Sequence, residues 1–171
     1  MNFNALHQQN QPLLLANVWD ASSAQAAQQA GYQALGSSSA AIAAMLGYED
    51  GEEMSFDELL YIVSRIKAVS ELPLSVDLEA GYGATTSLII DNIRRLAHLG
   101  VSGINLEDSH VVDSTRRLDD AVVFAAKIQE ITHACPDMFV NVRTDTFLLN
   151  VPNALDETLY RGQLYANHGG C

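Results

Sequence analysis

The sequence is short of basic residues and cysteines and has no long apolar run, and each shortage excludes a class of protein. Nine Lys and Arg stand against 21 Asp and Glu, for a formal charge of −12. Nucleic-acid and anionic-membrane surfaces need clustered basic side chains, so we expect neither as a partner. The two cysteines, Cys135 and Cys171, are too few for a disulfide framework and lack the spacing of metal ligands.

Membrane insertion and secretion are not expected either. No apolar run approaches the roughly 20 residues that cross a bilayer, and residues 1–11 lack the basic start and apolar core of a signal peptide. We therefore expect a cytoplasmic protein. With 171 residues, 48% of them hydrophobic, the chain has enough material for a single domain, 1–171, with a sizeable core.

Short apolar runs alternate with longer helical patterns five times along the chain. Ser55 is the expected N-cap of the second helix, with Glu58 as its capping-box partner. The connection 39–54 is long for a loop between a strand and a helix, which marks it as a candidate functional segment. The predicted strands are 12–18, 33–38, 74–79, 103–107 and 138–145, and the predicted helices are 21–30, 55–70, 87–99, 119–133 and 154–167.

This alternation predicts an α/β fold with a parallel sheet and right-handed crossovers. Two architectures fit it. A (β/α)8 barrel uses about 250 residues, so the chain would be truncated after about five βα units, just where a sixth strand is expected. A five-stranded doubly wound fold of flavodoxin type fits the length without missing sequence.

Charged and amide side chains take alternate positions on the third, fourth and fifth predicted strands. Residues i and i+2 of a strand share a face, so these side chains should line one face of the sheet. They lie near the carboxyl ends of the strands, where both architectures place their sites. The residues are Asp77, Glu79, Asn105, Glu107, Asn141, Arg143 and Asp145.

We call the open end of the sheet, at the carboxyl ends of the strands, the mouth. Three acids in this mouth, Asp77, Glu79 and Glu107, would repel one another unless a cation or Arg143 compensated their charge. Oxygen ligands without a nearby His or Cys pattern favour Mg²⁺ or Mn²⁺ over Zn²⁺. The alternative is that these acids form ordinary salt bridges or cap the following helices.

Five segments carry a family resemblance by their order and spacing: 31–39, 46–50, 76–83, 104–108 and 141–145. The most specific is the Asp-x-Glu-x-Gly-Tyr-Gly run of residues 77–83. Over nearly all of the chain these segments resemble the phosphoenolpyruvate mutase/isocitrate lyase superfamily. The resemblance favours the barrel over the doubly wound fold, and it implies a homo-oligomer, either a tetramer or a dimer.

The resemblance also implies roles for single residues. Asp77, Glu79 and Glu107 would hold the metal, although the family usually has Asp where this chain has the longer Glu79. Arg143 would pair with the carboxylate or enolate oxygen of the substrate, and Asp50 would act beside metal and substrate. Further substrate-binding positions are Ser38, Ser39, Gly81 and Tyr82.

The chain departs from the family's loops after Glu107-Asp108. It lacks the Lys-[Lys/Arg]-Cys-Gly-His run of isocitrate and methylisocitrate lyases and the Lys-rich gating loop of phosphonate mutases. In their place stands the segment 109–117, in which His110 is either a proton donor or an exposed histidine without a role.

Together these features predict a Mg²⁺-dependent lyase or decarboxylase-like enzyme. It would cleave a C–C bond in a small α-keto acid or related 2-hydroxy acid through an enolate. One alternative is C–P chemistry, as in a phosphonomutase or phosphonopyruvate hydrolase. The other is a non-catalytic keto-acid binder or an inactive fragment.

Overall fold

A computed structural model describes residues 3–113 and 115–171 of the chain. The helices are α1 Phe3–His7, α2 Ala21–Gln29, α3 Ser39–Leu46, α4 Phe56–Lys67, α5 Thr86–His98, α6 Ala121–Ala134 and α7 Ala154–Asn167. The strands are β1 Leu15–Val18, β2 Ala34–Ser37, β3 Leu74–Asp77, β4 Gly103–Glu107, β5 Ser109–Val112, β6 Thr115–Leu118 and β7 Phe139–Arg143. Within the described part of the chain, no helix is both long and apolar enough to span a membrane.

The order of the strands decides between the two predicted architectures. Five parallel strands lie side by side in chain order, β1-β2-β3-β4-β7. In a flavodoxin-type sheet the strands are also parallel, but later strands are added on the opposite side of the first strand, so the spatial order does not follow the chain. Neighbouring helices also pack on one another in sequence, from α4 on α5 to α6 on α7. The chain therefore has the (β/α)8 barrel type of fold and carries five of its parallel strands.

A further backbone pairing extends the parallel sheet beyond β7. The Cys171 N–H donates to the Val140 carbonyl at 2.9 Å, and the Cys171 carbonyl accepts from the Val142 N–H at 2.8 Å. Cys171 thus lies beside β7 in the place that the next strand of a barrel occupies.

The hydrophobic core lies between the sheet and the helices. Alternate strand residues such as Val76, Ile104 and Val140 face it and are almost fully buried. On the other face of the sheet, α1 covers the amino-terminal ends of the strands, where the Phe3 ring packs edge-on against Phe139. The carboxyl ends of the strands remain open on that face, and the polar residues collect there.

Most predicted elements are confirmed, and the capping box of Ser55 and Glu58 at the start of α4 is present. The third strand, however, ends at Asp77, two residues earlier than predicted. The long connection 39–54 is not all loop, because Ser38 caps a two-turn helix, α3, within it. The small N-terminal helix α1 was not predicted.

The segment 109–117 holds the largest difference from the prediction. It forms an antiparallel hairpin of β5 and β6, in which Val111 pairs with Arg116 and His110 with Arg117. Ser114, at its tip, lies outside the described residues. The hairpin follows directly from β4, so it stands over the carboxyl end of the sheet.

Candidate active site

The site is built where β3, β4 and β7 end. Asp77, Asn105 and Asn141 lie side by side in register across these strands. The Asn141 amide donates to Asn105 Oδ1 at 2.8 Å. This row confirms the predicted polar face, since each of the three strands contributes one side chain to it.

Asp77 is oriented by serines of the neighbouring β2 and α3. Its Oδ2 accepts from the Ser39 backbone N–H at 3.0 Å and from Ser39 Oγ at 2.7 Å, and its own backbone N–H donates to Ser37 Oγ at 2.8 Å. The other carboxylate oxygen, Oδ1, is buried without any hydrogen-bond partner among the described residues. One oxygen is therefore held in place while the other is left for a ligand.

Glu79 lies in a turn of unusual backbone conformation. The φ angles of Glu79, Gly81 and Tyr82 are +50°, +117° and +54°. Residues other than glycine rarely adopt positive φ angles. The Asn92 amide donates to the carbonyls of Gly81 and Tyr82 and stabilises the turn. A side chain at Gly81 would collide with Ile89, 2.8 Å away. Such strained backbone is concentrated at functional sites.

The turn buries the Glu79 carboxylate beside other acids. Its Oε1 accepts from the Tyr82 hydroxyl at 2.7 Å, whereas Oε2 is buried and has no hydrogen-bond partner among the described residues. Burial raises the pKa of Glu79 to about 7; the Tyr82 hydrogen bond opposes this rise, and the negative charges of Asp50, Glu52 and Asp77 add to it. An ionised Glu79 thus lacks a counter-charge.

Glu107 is in the opposite situation, because an arginine binds each of its oxygens. Arg143 Nη1 lies 2.7 Å from Oε1, and Arg116 Nη1 donates to Oε2 at 2.8 Å. Burial raises the pKa of Glu107 to about 7, while Arg143 and Arg116 favour the charged form. Both of its oxygens are already engaged in the structure.

Arg143 is fixed at its base and open at its end. Its Nε donates to Asp145 Oδ1 at 3.2 Å, and the side chain is 48% exposed toward the mouth. Asp145 is itself buried and accepts from the Ser109 hydroxyl. The geometry therefore leaves part of the Arg143 guanidinium accessible to a ligand in the mouth.

Arg116 belongs to the site but was not singled out in the sequence. It comes from the unpredicted hairpin and reaches Glu107, Ser109 Oγ at 3.2 Å and, at a longer 3.6 Å, Asp50. His110 pairs instead with Asp119 and is about half exposed. Its place in the hairpin, opposite Arg117, puts it on the other face from Arg116.

A buried network beneath the site was also missed. Asp108 is fully buried and accepts from the backbone N–H of Asp145 at 2.9 Å, Thr144 Oγ1 at 2.8 Å, Arg161 Nη1 at 2.9 Å and the Tyr165 hydroxyl at 2.8 Å. It ties α7 to the segment that carries Arg143. The signal in the sequence was Arg161 with Tyr165 four positions later, because such a spacing puts both side chains on the same face of α7.

The other predicted residues have mixed surroundings. Ser38 caps α3, its Oγ accepting from the Ala41 N–H at 3.3 Å, and Gly81 is required by the turn. Asp50 is 52% exposed at the rim of the mouth. Whether these residues bind substrate stays a prediction.

The three predicted metal ligands are not arranged as a ready ligand set. Within residues 3–113 and 115–171, no group of three or more Asp, Glu, His or Cys side chains is placed to hold an ion. Asp77 Oδ1 and Glu79 Oε2 nevertheless fit a hard divalent cation, because they are buried carboxylate oxygens that lack a donor. Glu107 would have to give up an arginine contact to join them.

Comparison with known proteins places these residues in a family context. The sequence model of the family described as phosphoenolpyruvate phosphomutase matches residues 3–171. An uncharacterized protein of Mycobacterium tuberculosis is 34% identical over 99% of this chain and 62% of its own length. The 2-methylisocitrate lyase of Escherichia coli is 29% identical over 98% of this chain and 58% of its own length. A crystal structure described as a candidate phosphonomutase, from Burkholderia cenocepacia, is 39% identical with a TM-score of 0.90, over 98% of this chain and 70% of that one.

The names of further relatives cover several reactions. They include an oxaloacetate decarboxylase of Pseudomonas syringae and a phosphoenolpyruvate phosphomutase of Streptomyces hygroscopicus. The fold is shared with a phosphonopyruvate hydrolase solved with oxalate and Mg²⁺. The chain spans less than two thirds of the length of these curated relatives.

Replacing Glu79 with Gln tests the buried charge. Folding raises the Glu79 pKa from 4.5 to about 7, so the folded state binds more protons between these values and stability falls as the pH rises through them. In a buffer with chelator, we expect Glu79→Gln to be more stable than the parent chain by about 1–3 kcal/mol at pH 8 and nearly equal to it at pH 5. Urea unfolding at both pH values measures the difference.

The matched control is Glu130→Gln, which removes an exposed carboxylate on α6. It should change stability equally at the two pH values. If Glu79→Gln were instead less stable than the parent chain at pH 8, the ionised carboxylate would be stabilising and the interpretation of the site would be wrong.

Proposed function

We propose that this chain, which belongs to the phosphoenolpyruvate mutase/isocitrate lyase superfamily, forms the keto-acid site of a Mg²⁺-dependent carbon–carbon lyase. In an α-keto acid, the bond that breaks would join the carbon next to the carbonyl to the departing group, so its electron pair stays with the keto acid as an enolate. In a related 2-hydroxy acid, the C2–C3 bond would break: the hydroxyl loses its proton, C2 becomes the keto carbon, and the C3 fragment leaves with the electron pair as an enolate. The supporting observation is the pair of unpartnered carboxylate oxygens on Asp77 and Glu79 beside an accessible arginine, Arg143.

Asp77 and Glu79 would hold the cation. Ser39 fixes one oxygen of Asp77, and the Tyr82 hydroxyl fixes one oxygen of Glu79, so each residue keeps a second oxygen for the ion. A bound Mg²⁺ supplies Lewis-acid stabilisation of negative charge on a keto oxygen. Glu107 would contribute from further away, through Arg143, which it positions.

Arg143 would hold the acidic end of the substrate. Glu107 and Asp145 fix its Nη1 and Nε, and its fork of donors suits a carboxylate or an enolate oxygen. Because these contacts exist before a ligand arrives, little reorganisation is needed when charge develops. Asp50, at the rim, would lie beside the substrate.

A C–P reaction is the second candidate. It is favoured by the 39% identity to the Burkholderia chain described as a candidate phosphonomutase. The hairpin does not separate the two candidates, because it carries neither the family's mutase loop nor its lyase loop.

Binding of oxalate, a planar mimic of the pyruvate enolate, tests the proposal. We expect calorimetric titration to detect oxalate only in the presence of Mg²⁺, and Asp77→Asn to weaken that binding by about tenfold or more. The asparagine oxygen can still accept from Ser39, so the variant changes mainly the unpartnered oxygen.

Asp57→Asn is the matched control, since Asp57 is an exposed acid on α4 that pairs with Arg95. It should bind oxalate like the parent chain. Oxalate binding of equal affinity with and without Mg²⁺, or of parent-like affinity in Asp77→Asn, would count against the metal and keto-acid site.

A substrate panel separates C–C from C–P chemistry. We expect turnover of oxaloacetate or of 2-hydroxy diacids, followed as pyruvate or another keto acid, and no change of phosphonopyruvate in phosphorus NMR. Conversion of phosphonopyruvate that Asp77→Asn abolishes would replace the lyase proposal by the second candidate.

A further inference from the structure

Arg116 is a second guanidinium group in the mouth, and the proposed reaction does not use it. Its side chain is only 17% exposed. Its Nη1 donates to Glu107 Oε2 at 2.8 Å and to Ser109 Oγ at 3.2 Å. Arg143 binds the other oxygen of Glu107, so the two arginines flank the same carboxylate.

The hairpin directs Arg116 toward the mouth. Arg116 is opposite Val111 in the β5–β6 register, and the Val111 side chain packs against Gly51, where an added Cβ would lie 2.7 Å away. Gly51 belongs to the connection that also carries Asp50. This face of the hairpin therefore closes on that connection, and Arg116 is its cation.

One end of the guanidinium is weakly engaged. Nη2 lies 3.6 Å from Asp50 Oδ2, and Asp50 is 52% exposed. An ion pair this long with a solvated partner contributes little stability. A ligand with a negative charge can take the place of Asp50 at small cost, while Nη1 keeps its contact with Glu107.

Arginine chemistry limits what Arg116 can do there. A guanidinium stays protonated in proteins, so it cannot shuttle protons as an acid or base. Its planar fork of donors recognises carboxylate, phosphonate and similar groups. In the segment where this chain departs from the lyase and mutase loops, the structure thus places a guanidinium group.

We propose that Arg116 binds a second acidic group of the substrate, while Arg143 and the cation hold the keto-acid end. Arg116 then selects ligands that carry a further carboxylate or phosphonate over ligands that offer the keto-acid end alone. This inference rests on the proposed function, because it requires a keto acid in the same mouth.

The test compares ligands with and without the second group in calorimetric titrations with Mg²⁺ present. Oxalate represents the keto-acid end alone, 3,3-difluorooxaloacetate adds a carboxylate, and sulfopyruvate adds an unreactive sulfonate in place of a phosphonate. The chains are the parent, Arg116→Gln, Arg116→Lys and, as control, Arg117→Gln on the opposite face of the hairpin.

We expect Arg116→Gln to weaken one or both of the longer ligands by about tenfold or more while oxalate stays within about twofold. Arg116→Lys should restore part of the loss, and Arg117→Gln should bind like the parent chain. A loss with difluorooxaloacetate alone identifies the second group as a carboxylate, and a loss with sulfopyruvate alone identifies it as a phosphonate-type group.

Two results would overturn the inference while leaving the proposed function intact. If Arg116→Gln weakened all three ligands equally, Arg116 would only position Glu107. If it weakened none, the second group would bind elsewhere or not at all. Failure of oxalate to bind the parent chain would instead overturn the proposed function, and this inference with it.

Discussion

Negative charge without a counter-charge is the constraint on which the mouth of the sheet depends. Glu107 and Asp145 are buried but bind Arg143, and Glu107 binds Arg116 as well. Among the described residues, Asp77 and Glu79 form no ion pair with a basic side chain, and each keeps one buried oxygen without a donor. Burying such groups is costly unless a cation compensates them. Asp77 and Glu79, whose carboxylates form no ion pair with a basic side chain of the described residues, are therefore the two acids best suited to bind a divalent metal.

The fold produces this imbalance through backbone geometry. The cap of α3 places Ser39 where both of its donors reach one oxygen of Asp77. The turn at Glu79 and Tyr82, with positive φ at both residues, brings the longer glutamate back beside that aspartate and under the Tyr82 hydroxyl. The turn thus leaves Glu79 among the negative charges of Asp50, Glu52 and Asp77.

The alternating strands and helices, and the row of polar residues on one sheet face, could be predicted because periods of two and 3.6 residues are visible in the sequence. The turn at Glu79 could not, since a glutamate with positive φ is unusual. The hairpin was missed because β6, Thr115–Leu118, lacks the alternation of apolar and polar residues that marks a strand. The pairing of Asp108 with Arg161 joins residues 53 positions apart, which no local pattern encodes. The homo-oligomer and the cytoplasmic location stay predictions.

The most direct measurement is a Mn²⁺ titration followed by electron paramagnetic resonance, in which the six-line signal of the free ion disappears on binding. We predict a single Mn²⁺ site in the parent chain, with an affinity that falls by about tenfold or more in both Asp77→Asn and Glu79→Gln and stays unchanged in Asp57→Asn. Absence of binding in the parent chain, or binding in both site variants as tight as in the parent chain, would contradict this prediction, and the two unpartnered oxygens would then have no role in holding a metal.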